Sequence, residues 1–165
     1  MKVLYITTVD LSLESGVRNK IYGQIKAMKE AGFNVSLIAL NKNKIVIENA
    51  KSKKVLGKYN IDGIFRFFSK PYNLYKAVYR YAIEEDINAV FIRYSLSEFF
   101  FLRMLKKLRS NSIKIFLEIP SYPYDFEFEN KALYKKLGLC IDIIFRKYLK
   151  RYVDLIFTPS PVTGE

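Results

Sequence analysis

Three short stretches of the chain hold residues able to do chemistry. Glu118 is the first residue after the apolar run Ile113–Leu117. It opens the segment EIPSYPYDFEFEN (118–130), where Asp125, Glu127 and Glu129 gather with Tyr122 and Tyr124, and no base appears before Lys131. A carboxylate at a strand end can accept hydrogen bonds from substrate hydroxyls, and tyrosine rings beside it can stack on a sugar face. The competing reading is a capping or ion-paired carboxylate at the head of an acidic loop. Arg93-Tyr94 closes a second apolar run, NAVFIRY (88–94). Its guanidinium, expected at the mouth of a sheet, suits a two-point grip on carboxylate or phosphate. An internal ion pair with Glu98 or Glu118 explains it equally well. The third stretch, Ser15-Gly16-Val17-Arg18, precedes a helical repeat. Free N–H groups and the helix dipole favour an anion there, with Arg18 and Lys20 in support. An ordinary helix start, with Gly16 serving the turn, is the plain alternative.

Composition removes several other chemistries. The chain of 165 residues has no histidine and a single cysteine, Cys140. Ser-His-Asp and Cys-His nucleophile systems, histidine metal sites, multi-cysteine zinc sites and internal disulfides are thereby excluded. No stretch has the pattern of a secretory signal. No apolar run reaches the roughly 18–20 residues of a membrane span, since Leu137–Phe145 is interrupted by Asp142. The expected location is the cytoplasm, with peripheral contact at the inner face of a membrane left open. A formal charge of +12, from 28 Lys+Arg against 16 Asp+Glu, has two readings. It marks an anionic partner, or it reflects a lysine-rich solvated surface. No motif for reading a nucleic-acid groove accompanies it, so no nucleic-acid partner is expected.

The elements that must position these residues follow from hydrophobic spacing. Lys2–Thr8 reads as a buried strand. Val17, Ile21, Ile25 and Met28 then repeat at helical spacing up to Gly32, a natural left-handed stop. Asn34–Leu40 is the next strand, completing a parallel βαβ unit. Lys44–Glu48 and Lys53–Leu56 suggest short strands around a turn, and Gly63–Phe68 a further one. Pro71 suits the first position of a helix running to about Glu85. Strands over Asn88–Tyr94, Ser112–Ile119 and Asp154–Thr158 alternate with helices over Ser97–Arg109 and Ala132–Tyr152. The last helix carries Leu133, Leu137, Ile141, Ile144, Tyr148 and Tyr152 on one stripe, expected to face inward. Arg146, Lys147, Lys150 and Arg151 lie opposite, either simply solvated or resting on anionic lipid. The fold class is therefore α/β: a Rossmann-like, doubly wound, mainly parallel sheet with helices on both faces. Ligands of such sheets bind beyond the C-terminal strand ends, which is where Ser15, Arg93 and Glu118 fall.

These stretches together resemble a known family. KVLYITT, a loop with SGV, and a helix leading into AGFNVSLIAL resemble the opening of GT-B glycosyltransferases, above all the large retaining group known as glycosyltransferase family 4 or group 1. That group includes bacterial capsule and lipopolysaccharide transferases. Ser15-Gly16 stands where the group commonly has two glycines, and Gly32-Phe33-Asn34-Val35 where it has G-H-x-V. NAVFIRY, FLEIPSYPY and DLIFTPS resemble later strands and loops of the same domain. The likeness spans nearly the whole chain through short, degenerate motifs whose order and spacing carry it. Neither the dinucleotide fingerprint G-x-G-x-x-G nor the phosphate loop G-x-x-x-x-G-K is present.

What the resemblance implies is an acceptor-binding N-terminal half of a GT-B fold, residues 1–165, truncated before a nucleotide-sugar-binding domain. Its implied activity is transfer of a sugar from a nucleotide-sugar to a glycan or lipid-linked acceptor in surface polysaccharide synthesis, with no metal or other cofactor. Ser15, Gly16 and Arg18 would face the donor phosphate and sugar, Arg93, Tyr94, Tyr122 and Tyr124 the acceptor, and Glu118 would act near the transferred sugar. Serine in place of a glycine at position 15 limits how closely backbone can approach a phosphate. The alternative is a non-catalytic module that docks an acceptor or a membrane and works with a separate donor subunit.

Overall fold

The protein's computed structural model describes residues 1–60, 66–120 and 133–158, with backbone alone at 66–67 and 133–135. Among these residues seven strands form one sheet: β1 (Lys2–Asp10), β2 (Asn34–Asn41), β3 (Lys44–Glu48), β4 (Lys53–Lys58), β5 (Ala89–Arg93), β6 (Lys114–Glu118) and β7 (Leu155–Phe157). Their order across the sheet is β4-β3-β2-β1-β5-β6-β7. The run from β2 to β7 is parallel, and β3 and β4 add an antiparallel hairpin beyond β2. Strand order reverses between β1 and β5, so the crevice of this Rossmann-like α/β fold opens where those two strands end.

Among the described residues four α-helices accompany the sheet: α1 (Gly16–Glu30), α2 (Arg66–Glu84), α3 (Phe99–Ser110) and α4 (Leu133–Arg146). Side-chain alternation along the strands separates two cores. On one face Val3, Tyr5, Val35 and Leu37 meet Ile21 and Ile25 of α1. On the other, Leu4, Ile6, Ile38 and Val90 pack with Leu74 and Val78 of α2 and Leu105 and Leu108 of α3. Helix α1 starts at Ser15, whose hydroxyl accepts the Arg18 N–H at 3.2 Å. It stops where Gly32 turns to φ +86°, a conformation a side chain resists.

Two expectations need correction. Residues 66–68 belong to α2 rather than to a strand, so Pro71 lies inside that helix and not at its first position. There it forfeits one backbone bond, a loss offset by the packing of Leu74, Tyr75 and Val78. Helix α4 ends at Arg146, followed by a 3₁₀ turn at Leu149–Arg151, rather than continuing to Tyr152. Its stripe is also reversed: Leu137, Ile141, Ile144 and Tyr148 are exposed, while Asp142 and Leu149 are buried. A buried carboxylate sets this orientation. Asp142 Oδ1 accepts the Ser97 N–H at 2.6 Å and a hydrogen bond from the Tyr94 hydroxyl, and Arg146 approaches its other oxygen at 3.8 Å.

Candidate functional site

Parallel pairing lines up one row of residues across the C-terminal rim of the sheet. Thr7 pairs with Arg93, Arg93 with Glu118, and Glu118 with Phe157. Paired residues of parallel strands project to the same face, so this row sits on the side that α1 covers. Glu118 is 0% exposed and Arg93 8%, and Arg93 Nη1 lies 3.0 Å from Glu118 Oε1. The guanidinium does not emerge into the crevice. It is held in an internal pair with Glu118, while Glu98 caps α3 by accepting the N–H groups of Phe100 and Phe101. Burial pushes the Glu98 carboxyl up, against the effect of those two N–H groups.

Helix α1 completes the cluster. Gln24 Nε2 donates to the same oxygen, Oε1, at 3.1 Å, and Lys20 Nζ stands 3.6 Å from it. The Tyr5 hydroxyl in turn donates to Gln24 Oε1 at 2.7 Å. Burial first, and then the charge of Glu118, push the Tyr5 hydroxyl well above its ordinary value, while Arg93 works in the opposite direction. Tyr5 therefore stays a donor, and the Gln24 amide is fixed with its NH₂ toward Glu118. Arg93, Gln24 and Lys20 thus all converge on Glu118 Oε1. Glu118 Oε2 is buried and, among the described residues, has no hydrogen-bond partner. An orphaned buried polar atom costs about 1–3 kcal/mol, so this oxygen is an unused acceptor kept at the rim of the sheet.

The remaining expected site residues separate. Tyr94 follows Arg93 in the chain and so points to the opposite face, where its hydroxyl meets Ser97 Oγ at 2.8 Å and Asp142. It anchors α4 instead of joining Glu118. Ser15 spends its hydroxyl on the Arg18 N–H, and Gly16 opens α1 with no atom crowding the place a Cβ would take. The Arg18 side chain lies over the Tyr22 ring, 5.8 Å from its centroid. The loop carrying these residues is fixed at its base. Asp10 accepts the N–H groups of Ser12 at 2.9 Å and Lys42 at 3.2 Å, and the Leu11 N–H donates to Leu40 O at 2.9 Å. Tyr122 and Tyr124 lie outside the described residues. Among the described residues, no group of three or more His, Cys, Asp or Glu side chains is arranged to hold a metal ion.

Sequence reasoning missed Gln24 and Tyr5, and it assigned Lys20 only to the helix start. Signals for both missed residues were present. Gln24 lies between Ile21 and Ile25 on the inner side of α1, and Tyr5 sits mid-strand on the face of Val3, where a buried hydroxyl needs a partner. No helix among the described residues is long and apolar enough to cross a membrane. The sequence matches no known family, and no curated protein matches it.

Proposed function

We propose that the chain is the acceptor-side Rossmann-like domain of a glycosyltransferase that moves a sugar from a nucleotide-sugar to a glycan or lipid-linked acceptor in surface polysaccharide synthesis. The observation that carries this reading is the unpaired, buried Oε2 of Glu118, beside the point where strand order reverses. A carboxylate oxygen with free acceptor capacity suits a hydroxyl, the group in which sugars are richest. Arg93, Lys20 and Gln24 occupy the other oxygen and hold the carboxylate in one orientation. Because Glu118 is 0% exposed, a ligand must displace a neighbour, and Lys20, with its side chain 42% exposed, is the one with freedom to move. The sequence resemblance supplies the substrate class. With it goes a cytoplasmic location and peripheral attachment at the inner face of the membrane.

Saturation-transfer NMR tests the reading, using free hexoses and uridine and guanosine diphosphate sugars as probes. A saccharide signal is expected from the unaltered protein and should be lost in Glu118→Gln. No signal from any saccharide, or one unchanged by Glu118→Gln, would overturn the assignment.

A further inference from the structure

Helix α4 turns its apolar stripe to the outside. Leu137 is 62% exposed and Ile144 58%, and Ile141 and Tyr148 fall at the same helical spacing and are also exposed. One wall of the stripe is basic. Lys136, Lys147, Lys150 and Arg151 are exposed, and the Arg151 guanidinium lies 5.1 Å from the Tyr148 ring centroid. The only carboxylate between positions 136 and 151 is Asp142, which is buried and bonded inward. The same face of the sheet carries a second such region between α2 and α3. Tyr72 and Phe99, both exposed, each lie 5.5 Å from the Phe100 ring, and Lys76, Arg103 and Lys107 line the groove beside them.

From this arrangement we infer that α4 rests on an anionic lipid bilayer, its stripe in the headgroup–acyl boundary and its flanking bases on lipid phosphates. The inference builds on the peripheral attachment proposed above and names the surface responsible. An exposed apolar stripe walled by bases is the pattern of an interfacial helix, and each base near an anionic leaflet adds to the attraction. Charge decides among the occupants. A second copy of a chain of formal charge +12 would bring the same bases face to face. A nucleic acid would leave Leu137, Ile141 and Ile144 against phosphates.

The experiment is co-sedimentation of the protein with mixed phosphatidylcholine–phosphatidylglycerol vesicles and with pure phosphatidylcholine vesicles. Binding to the mixed vesicles is expected to be at least about tenfold tighter and to weaken as salt rises. Leu137→Glu and Ile144→Glu, at positions exposed enough to leave the fold unaltered by circular dichroism, should each reduce it by about tenfold. A second measurement needs no substitution. Cys140 is exposed, lies on α4 and is the only cysteine, so an environment-sensitive dye placed there should shift to the blue with mixed vesicles alone. No vesicle binding, binding indifferent to both substitutions, or no dye shift would overturn the inference. So would a dimer that Ile144→Glu dissociates without any vesicle binding. The Glu118→Gln protein should bind vesicles as the unaltered protein does. Loss of the saccharide signal and loss of vesicle binding therefore report on separate claims.

Discussion

Consider Arg93→Ala. It removes the guanidinium that sits 3.0 Å from an oxygen of the fully buried Glu118. Breaking a buried ion pair from one side costs about 3–5 kcal/mol, because the remaining charge stays desolvated. Gln24 and Lys20 still reach the same oxygen, so the lower end, about 3 kcal/mol, applies here. Now take Arg93→Met together with Glu118→Leu. Both charges go, and an apolar pair of similar volume is commonly neutral or stabilising by about 1–4 kcal/mol. Gln24 loses its acceptor, a cost of about 1 kcal/mol. The double variant should therefore match the unaltered protein within about 1 kcal/mol or exceed it, and should stand at least about 2 kcal/mol above Arg93→Ala. Urea unfolding followed by circular dichroism gives each value from the slope and midpoint. The saccharide signal should be absent from the double variant. If the double variant is instead as unstable as Arg93→Ala, the cluster serves the fold itself, and the unpaired Oε2 is no reserve for a ligand.

Two further perturbations test the supporting structure. Asp154 accepts the Ile115 N–H at 2.8 Å and pairs with Arg109 at 2.9 Å and Lys114 at 3.5 Å. Burial works to raise its carboxyl, but these partners outweigh it and hold the group below the ordinary value. Its contribution to stability is complete above an unfolded value of about 3.9 and disappears as pH falls through the lowered folded value. Urea midpoints across that range should therefore fall less steeply for Asp154→Asn than for the unaltered protein. Asp142→Ala should cost about 3 kcal/mol by urea unfolding, since the Tyr94 hydroxyl and Ser97 N–H lose their buried acceptor. Amide exchange in α4 should accelerate before that of the sheet.

The first forty residues were legible because local signals agree there: a β-branched run, a helical repeat, Gly32 at the stop, and a second apolar run. The β3–β4 hairpin and the existence of α3 were read by the same means. Within the expected strand Gly63–Phe68, residues 66–68 misled because aromatic residues favour strands only weakly and α2, beginning at Arg66, gains more by packing on the sheet, while 63–65 lie outside the described residues. Periodicity also found the stripe of α4 but not its direction. A repeat says that apolar residues share a face, whereas the partners of Asp142 on a distant loop decide which face turns in. In the site, Glu118 and Arg93 were visible as strand-end residues. Their ion pair was one of two readings open for Arg93, and the choice between Glu98 and Glu118, like the roles of Gln24 and Tyr5, depends on strand register and helix placement that no local window contains.

The bond between Gln24 and Glu118 spans 94 residues of sequence. From that reach the cluster is expected to form late in folding. The carboxylate meets its partners only after β5 and β6 have joined β1 and α1 has settled across them, and non-local parallel pairing of this kind is slow. An incomplete fold lacking β6 has no such cluster. A ligand of the kind proposed for the cluster would therefore recognise the finished molecule alone and shift the folding balance toward it, by about 2.7 kcal/mol at a hundredfold excess over its dissociation constant. Thermal-shift screening of this protein thus reports on a feature that exists only when both ends of the chain's order have been brought together.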